Sequence, residues 1–155
     1  MPAVKAHPVE KAADYKRSLE PHKMAFLTVN GELHTWHNDI PEAWQADTVE
    51  DTEIVVVVGK ERGYRVQTVH YRNGPPIERW LYEAEVSVVE AKTGYVLDNR
   101  MFRNEPRPCR DHEVYNITVI GRELHWGPVF RWISERTKIG FPSDGDPQPV
   151  VTIID

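Results

Sequence analysis

Trp80 to Phe102 is two runs of β-type residues joined by Ala91-Lys92-Thr93-Gly94, and no other stretch restricts the fold so tightly. Before the turn Trp80, Tyr82, Ala84, Val86 and Val88 share one parity, while Glu83, Glu85 and Ser87 take the other. That alternation is the pattern of a half-buried strand. After the turn Tyr95, Leu97 and Met101 alternate with Asp98 and Arg100. Pairing Glu90 with Tyr95 puts both apolar sets on one face and leaves a four-residue loop, from which Gly94 can exit through a left-handed conformation. A one-residue slip would turn a whole strand over, so this register sets Glu85 opposite Arg100.

The rest of the chain supplies shorter elements. Pro8 to Glu20 reads as a short helix that Pro21 closes. Met24 to Val29, Asn30-Gly31 and Glu32 to Trp36 make a small hairpin. Pro41 to Ala46 reads as one helical turn, with Asp39 as its cap and Trp44 facing inward. Thr52 to Val58 is the most hydrophobic run and does not alternate, as suits a central strand covered on both faces. Gly63 to Tyr71 returns as an alternating strand, and Asn73-Gly74-Pro75-Pro76 leads into the main hairpin. The strands between Thr52 and Phe102 thus predict a meander with short connections.

Beyond it lie a proline- and arginine-rich loop from Asn104 to Asp111, a strand from Val114 to Ile120 and a short run from Glu123 to Trp126. An amphipathic helix then starts at Pro128 and reaches about Thr137, with Val129, Trp132, Ile133 and Arg136 on one side. The expected class is α+β, predominantly β: an antiparallel meander sheet, as a sandwich or partly open barrel, with a short N-terminal helix and a C-terminal helix packed on the sheet. Residues 1–23 read as a polar arm, 24–139 as one β-rich domain, and 140–155 as a linker plus terminal strand.

From Ile40 to Glu135 the order of features resembles a domain of many uncharacterised bacterial proteins, often attached to membrane-anchored or secreted regions. The stretches that carry the resemblance are Ile40-Pro41, Ala46 to Val58 with its acidic lead-in Val49-Glu50-Asp51, the Tyr82 to Gly94 strand and turn, Phe102-Arg103, Pro106 to Pro108 and the late helix. The resemblance implies a compact β-rich fold and brings no catalytic residues or substrate with it. Asn104 stands where that pattern usually has a glycine after Phe-Arg.

Composition narrows the function classes. A net charge of −5 argues against a broad nucleic-acid or anionic-membrane surface. Cys109 is the only cysteine, so no intrachain disulfide or cysteine-based zinc cluster forms and a reducing compartment is suitable. The first 23 residues lack the apolar core of roughly 7–15 residues that an export signal carries, and no segment approaches the ~20 apolar residues of a membrane span. A cytoplasmic protein without membrane insertion is the expectation.

Four candidate chemistries and one apolar end segment stand out among the residues. His34 and His37, with His70, His112 or His125, offer imidazoles for a metal, but their spacing is wrong for two ligands on one strand face, so no metal site and no cofactor is expected. Cys109 follows Pro106-Arg107-Pro108 and precedes Arg110, cations that favour a thiolate, and only His112 is near enough in sequence to act as its base. Arg100, Arg103, Arg107 and Arg110 form a basic run suited to carboxylate or phosphate, interleaved with Asp98, Glu105 and Asp111. Trp36, Trp80 and Trp126 are the indoles that could line an apolar pocket in a curled sheet. Val150, Val151, Ile153 and Ile154 form an apolar terminal strand that must pair with a sheet edge or another chain.

These observations predict a non-enzymatic β-rich module that binds a protein partner or self-associates through the arginines or the terminal strand. The alternatives are a small-molecule carrier with an aromatic-lined pocket and an enzyme using Cys109 or a histidine cluster.

Overall fold

The structure, a computed structural model, describes residues 7–110 and 117–142. The described residues are mostly sheet with one C-terminal helix. Six strands form one mixed sheet: β1 (Met24–Thr28), β2 (Ile54–Val58), β3 (Arg62–Val69), β4 (Ile77–Glu90), β5 (Val96–Asn104) and β6 (Val119–Ile120). The helix α1 is Trp126–Ile139. Strand order runs β1-β2-β4-β3, with β5 and β6 each also on β4. Two compact units divide the chain: one takes Met1–Gly59, Glu85–Arg100 and His125–Asp155, the other Lys60–Ala84 and Met101–Leu124.

In the first unit β1 and β2 run parallel, Met24 opposite Ile54 through to Thr28 opposite Val58, and β2 pairs antiparallel with β4 from Ile54–Glu90 to Val58–Val86. The central position expected for the Ile54–Val58 run is therefore realised, with its residues alternately buried and half-buried. The meander is not. A meander joins each strand to the next, whereas β2 pairs with β1 and β4, and β3 pairs with β4. The cause lies at the end of β2: Gly59 N–H donates to Glu85 O at 2.7 Å, so the chain stays alongside β4 instead of turning back on β2.

Gly31, at φ 82, turns the first hairpin, whose loop is residues 29–31 and not Asn30-Gly31 alone: Thr28 N–H donates to Glu32 O at 2.7 Å and Gly31 N–H to Thr28 O at 3.0 Å. Its return limb shrinks to a bridge at Leu33, because Thr35–Asn38 coils into a 3-10 turn. Glu42–Trp44 is a second such turn, preceded by Pro41 rather than capped by Asp39. The helix expected over Pro8–Glu20 is absent: residues 13–18 have no regular structure. Backbone donors that a helix would use internally go to the body instead, Val9 N–H to Ala91 O, Ala13 N–H to Thr52 O and Ser18 N–H to Thr137 O, all at 3.0–3.1 Å. With Ala12 and Tyr15 buried, the segment is tied down along its length.

Met24, Phe26, Ile54, Val56, Val86, Val88, Val129 and Ile133 are the fully buried apolar side chains of this unit. Helix α1 begins two residues before the expected Pro128, because His125 Nδ1 accepts from Gly127 N–H at 3.0 Å and caps it. Its buried stripe is Val129, Trp132, Ile133 and Thr137, with Arg136 half-buried. Gly140, at φ 105, ends it.

The main hairpin forms with its expected loop. Glu90 N–H donates to Tyr95 O and Gly94 N–H to Glu90 O, each at 2.8 Å, with Gly94 at φ 75. Val88 and Leu97 are both buried. Farther along, Asn99 Nδ2 donates to Ser87 Oγ at 2.7 Å and, in the second unit, Arg103 Nε donates to Glu83 Oε2 at 2.8 Å. These pairs sit one residue out of the Glu90–Tyr95 count, and the buried parity changes from Leu97 to Phe102. Between them Asp98 Oδ1 accepts from Asn99 N–H at 2.8 Å. The count that set Glu85 opposite Arg100 does not extend to these side-chain pairs.

In the second unit β3 pairs antiparallel with β4 from Arg62–Glu83 to Val69–Ile77, with an irregularity between Arg65 and Gln67. Its residues are exposed except half-buried Val69, so the predicted alternation is missing from its burial. Strand β6 pairs parallel with β4, Val119 opposite Glu78 and Ile120 opposite Arg79. Of the described residues 117–120 of the predicted Val114–Ile120 strand only these two are strand, and Val114 to Asn116 lie outside the described residues. Residues 123–125 make no strand.

Candidate functional site: a braced loop beside a cleft

After β5 the chain runs without regular structure through Glu105-Pro106-Arg107-Pro108-Cys109-Arg110. Three prolyl-flanked positions without a ladder would leave carbonyls unpaired, and side chains from β4 and the β3–β4 turn supply the donors. Arg79 Nε donates to Arg107 O and Arg79 Nη2 to Pro106 O, both at 2.9 Å, while Arg79 Nη1 donates to Gln67 Oε1 at 2.6 Å. Tyr71 Oη donates to Arg110 O at 2.6 Å. One planar guanidinium fixes two successive carbonyls of the loop and the neighbouring strand at once, which a lysine could not do.

The loop borders a cleft of about 390 Å³. Ile117, Val119 and Ile120 supply aliphatic surface, Pro106 adds to it, and Asn104, Glu105, Arg107 and Arg122 bring polar groups. Asn104 Nδ2 donates to Arg122 O at 3.0 Å and Glu123 O at 3.2 Å, and Glu61 Oε1 accepts from Leu124 N–H at 2.8 Å, so the strip after β6 is tied on both sides. Gly121 makes the turn possible. At φ 146 it passes so close to Trp80 that a Cβ would stand 2.5 Å from the Trp80 carbonyl oxygen.

The arginine run is shared between the two units. Arg103, Arg107 and Arg110 belong to this unit; Arg100 belongs to the other, where its guanidinium carbon lies 5.9 Å over the Trp132 ring. Arg103 is held by Glu83, whose hydrogen bond and charge raise its already high pKa. Arg107 Nη1 donates to Pro108 O at 3.1 Å. Among the four, Arg107 alone lines the cleft, joined there by Arg122. Val150, Val151, Ile153 and Ile154 lie outside the described residues.

The three indoles divide between the units. Trp80 Nε1 donates to Glu78 Oε2 at 3.0 Å in the second unit. In the first, Trp36 stands 4.7 Å from the His34 ring and Trp126 stands 6.1 Å from Phe130. None of them lines the cleft, whose apolar surface is aliphatic.

His34, His37 and His125 serve local structure. His34 and His125 accept from backbone N–H groups at the starts of the turns they precede. Buried His37 accepts from Phe26 N–H at 3.3 Å through Nδ1 and donates through Nε2 to Ala46 O at 3.1 Å. His70 is exposed, and His112 lies outside the described residues. Among the described residues no group of three or more His, Cys, Asp or Glu side chains is placed to hold a metal. Cys109 is a half-buried free thiol in the braced loop.

Arg79 is the organising residue that sequence reading passes over. Its signal was present, since Arg79 sits at a half-buried strand position beside Trp80 and Leu81, where a charge needs buried acceptors. The acceptors are 27 and 28 residues away and were not legible. No helix among the described residues is long and apolar enough to cross a membrane. No family model, curated protein or solved structure matches the chain, so the site stands on its own geometry.

Proposed function

We propose that the protein is an interaction module that binds a protein partner through the braced loop and the cleft beside it. The observation that carries this reading is the double hold of Arg79 on the carbonyls of Pro106 and Arg107. A loop ordered before binding does not have to be ordered by the partner, so less of the contact energy is lost to entropy. Arg107 and Arg122 beside aliphatic Ile117 and Val119 favour a segment with acidic and apolar side chains. The single cysteine accords with a cytoplasmic setting for such a module.

The test is affinity purification from the native host with the intact protein and an R79L variant, each verified as folded by circular dichroism. A partner retained by the first and lost by the second agrees with the proposal. Equal recovery by both removes the loop from it. Light scattering after size exclusion, on the intact chain and on one cut after Ile139, addresses self-association through the terminal segment; identical monomers discard that route.

A second reading has its own support, because a concavity of about 390 Å³ is within the size range of small-ligand sites. The carrier it describes takes a carboxylate-bearing aliphatic molecule in place of the aromatic-lined ligand expected from the indoles. Fragment screening by NMR separates the two readings: chemical-shift changes confined to the cleft-lining residues 104–107, 117 and 119–122 favour the carrier.

A further inference from the structure

Ser18, His22 and Glu53 form a line of polar contacts in the first unit, away from the braced loop. His22 Nδ1 lies 3.0 Å from Glu53 Oε1, and His22 Nε2 lies 3.2 Å from Ser18 Oγ. The other carboxylate oxygen, Glu53 Oε2, accepts from Lys23 N–H at 2.9 Å, and Ser18 N–H donates to Thr137 O at 3.1 Å. The imidazole is 2% exposed, with Tyr15 edge-on at 5.2 Å and Trp44 tilted at 6.1 Å. Ser18 and Glu53 are half-buried.

An ionised carboxylate only accepts, so the proton it holds is the one on Nδ1, and Nε2 turns its lone pair to the serine hydroxyl. Nucleophile, base and orienting acid then stand in the order that acyl transfer needs. His37 is the internal contrast: it is also buried, but both of its nitrogens are spent on main-chain groups, and no hydroxyl is on offer. A buried histidine needs only that kind of satisfaction, whereas His22 has a hydroxyl on one nitrogen and a doubly anchored carboxylate on the other.

We propose that Ser18 is a nucleophile toward carboxylic esters, with His22 as its general base and Glu53 as the group that orients the imidazole. Ser18 Oγ forms a bond to the ester carbonyl carbon while its proton passes to His22 Nε2. The carbon–oxygen bond to the leaving alcohol breaks as the imidazolium returns that proton to the departing oxygen. Water, giving a proton to the same nitrogen, then bonds to the acyl carbon, and the bond to Ser18 Oγ breaks as that proton passes back to Oγ and the carboxylic acid leaves. Glu53 stays ionised throughout. The Ser18 carbonyl oxygen, 3.5 Å from Nε2, faces the proton while the ring carries it.

A site without an assigned oxyanion donor lacks a contribution of about 10²–10³ in turnover, so covalent labelling is the more sensitive readout. The intact protein is treated with a biotinylated ethoxy fluorophosphonate, whose fluoride leaves as Oγ bonds to phosphorus, and the adduct is located by peptide mass spectrometry. The expected result is an adduct on Ser18 that is absent from S18A and forms at least about tenfold more slowly in E53Q and H22Q. Thermal melting confirms that each variant is folded. S18A keeps the backbone bond to Thr137, so it serves as the folded control if a His22 or Glu53 variant fails to fold. Folded wild-type protein with no adduct on Ser18 overturns the proposal, as does labelling of Ser18 at an unchanged rate in folded E53Q.

Discussion

His34 couples a protonation state to a local fold. Its Nδ1 accepts from Trp36 N–H at 3.1 Å at the head of the Thr35–Asn38 turn, and burial lowers its pKa below the ordinary 6.5. A lowered folded pKa means that the unfolded chain binds the proton more readily. The stability associated with neutral His34 is therefore fully present above the ordinary value and is lost as the pH falls from there toward the folded pKa. Urea unfolding at a series of pH values should show this slope in the wild type and a flatter one in H34N, whose amide can keep the cap. Gly121 makes a steric prediction at the same scale. With a left-handed φ and the Trp80 carbonyl in the way, G121A should lose about 2–3 kcal/mol in thermal or urea unfolding, since strain and a backbone clash add.

Among the elements, the loop after β5 depends on a strand residue for its shape. Replacing Arg79 by leucine leaves the Pro106 and Arg107 carbonyls without the donors that hold them, at a cost of about 1–3 kcal/mol. Limited proteolysis should then cut within residues 105–110 well before the wild type is cut there; equal protection would show that the loop is held by other means. The main hairpin teaches a related lesson about register. Its four-residue loop and the Glu90–Tyr95 pairing were readable, because turn chemistry and alternation agree near the turn. The one-residue offset beyond Asp98 was not, since Asp98-Asn99-Arg100 offers three polar residues in a row and no apolar position to reveal the change of parity. Its markers are tertiary: the Asn99–Ser87 and Arg103–Glu83 bonds and the burial of Phe102.

For the molecule as a whole, hydrogen exchange should rank the strands. Amides of β2 should exchange slowest, being paired on both sides by β1 and β4 and carrying Ile54 and Val56 at 0% exposure. Those of β3, exposed along nearly its whole length, should open at a free energy lower by about 2 kcal/mol or more. Comparable protection in both would mean that the exposed strand opens only with global unfolding.

What the sequence by itself determined is local: the predominance of strands, the loop and first register of the main hairpin, the Asn30-Gly31 turn and the amphipathic stripe of α1. Each rests on periodicity or turn chemistry within about 20 residues of chain, the range over which neighbouring positions constrain one another. Tertiary structure decided the rest. The parallel pairing of β1 with β2, the extended course of residues 13–18 and the Arg79 brace all satisfy backbone groups with partners far along the chain. The line from Ser18 through His22 to Glu53 likewise spans 35 positions of sequence. Hydrogen-bond donors and acceptors recur at every residue, so only the packed chain selects which distant ones meet.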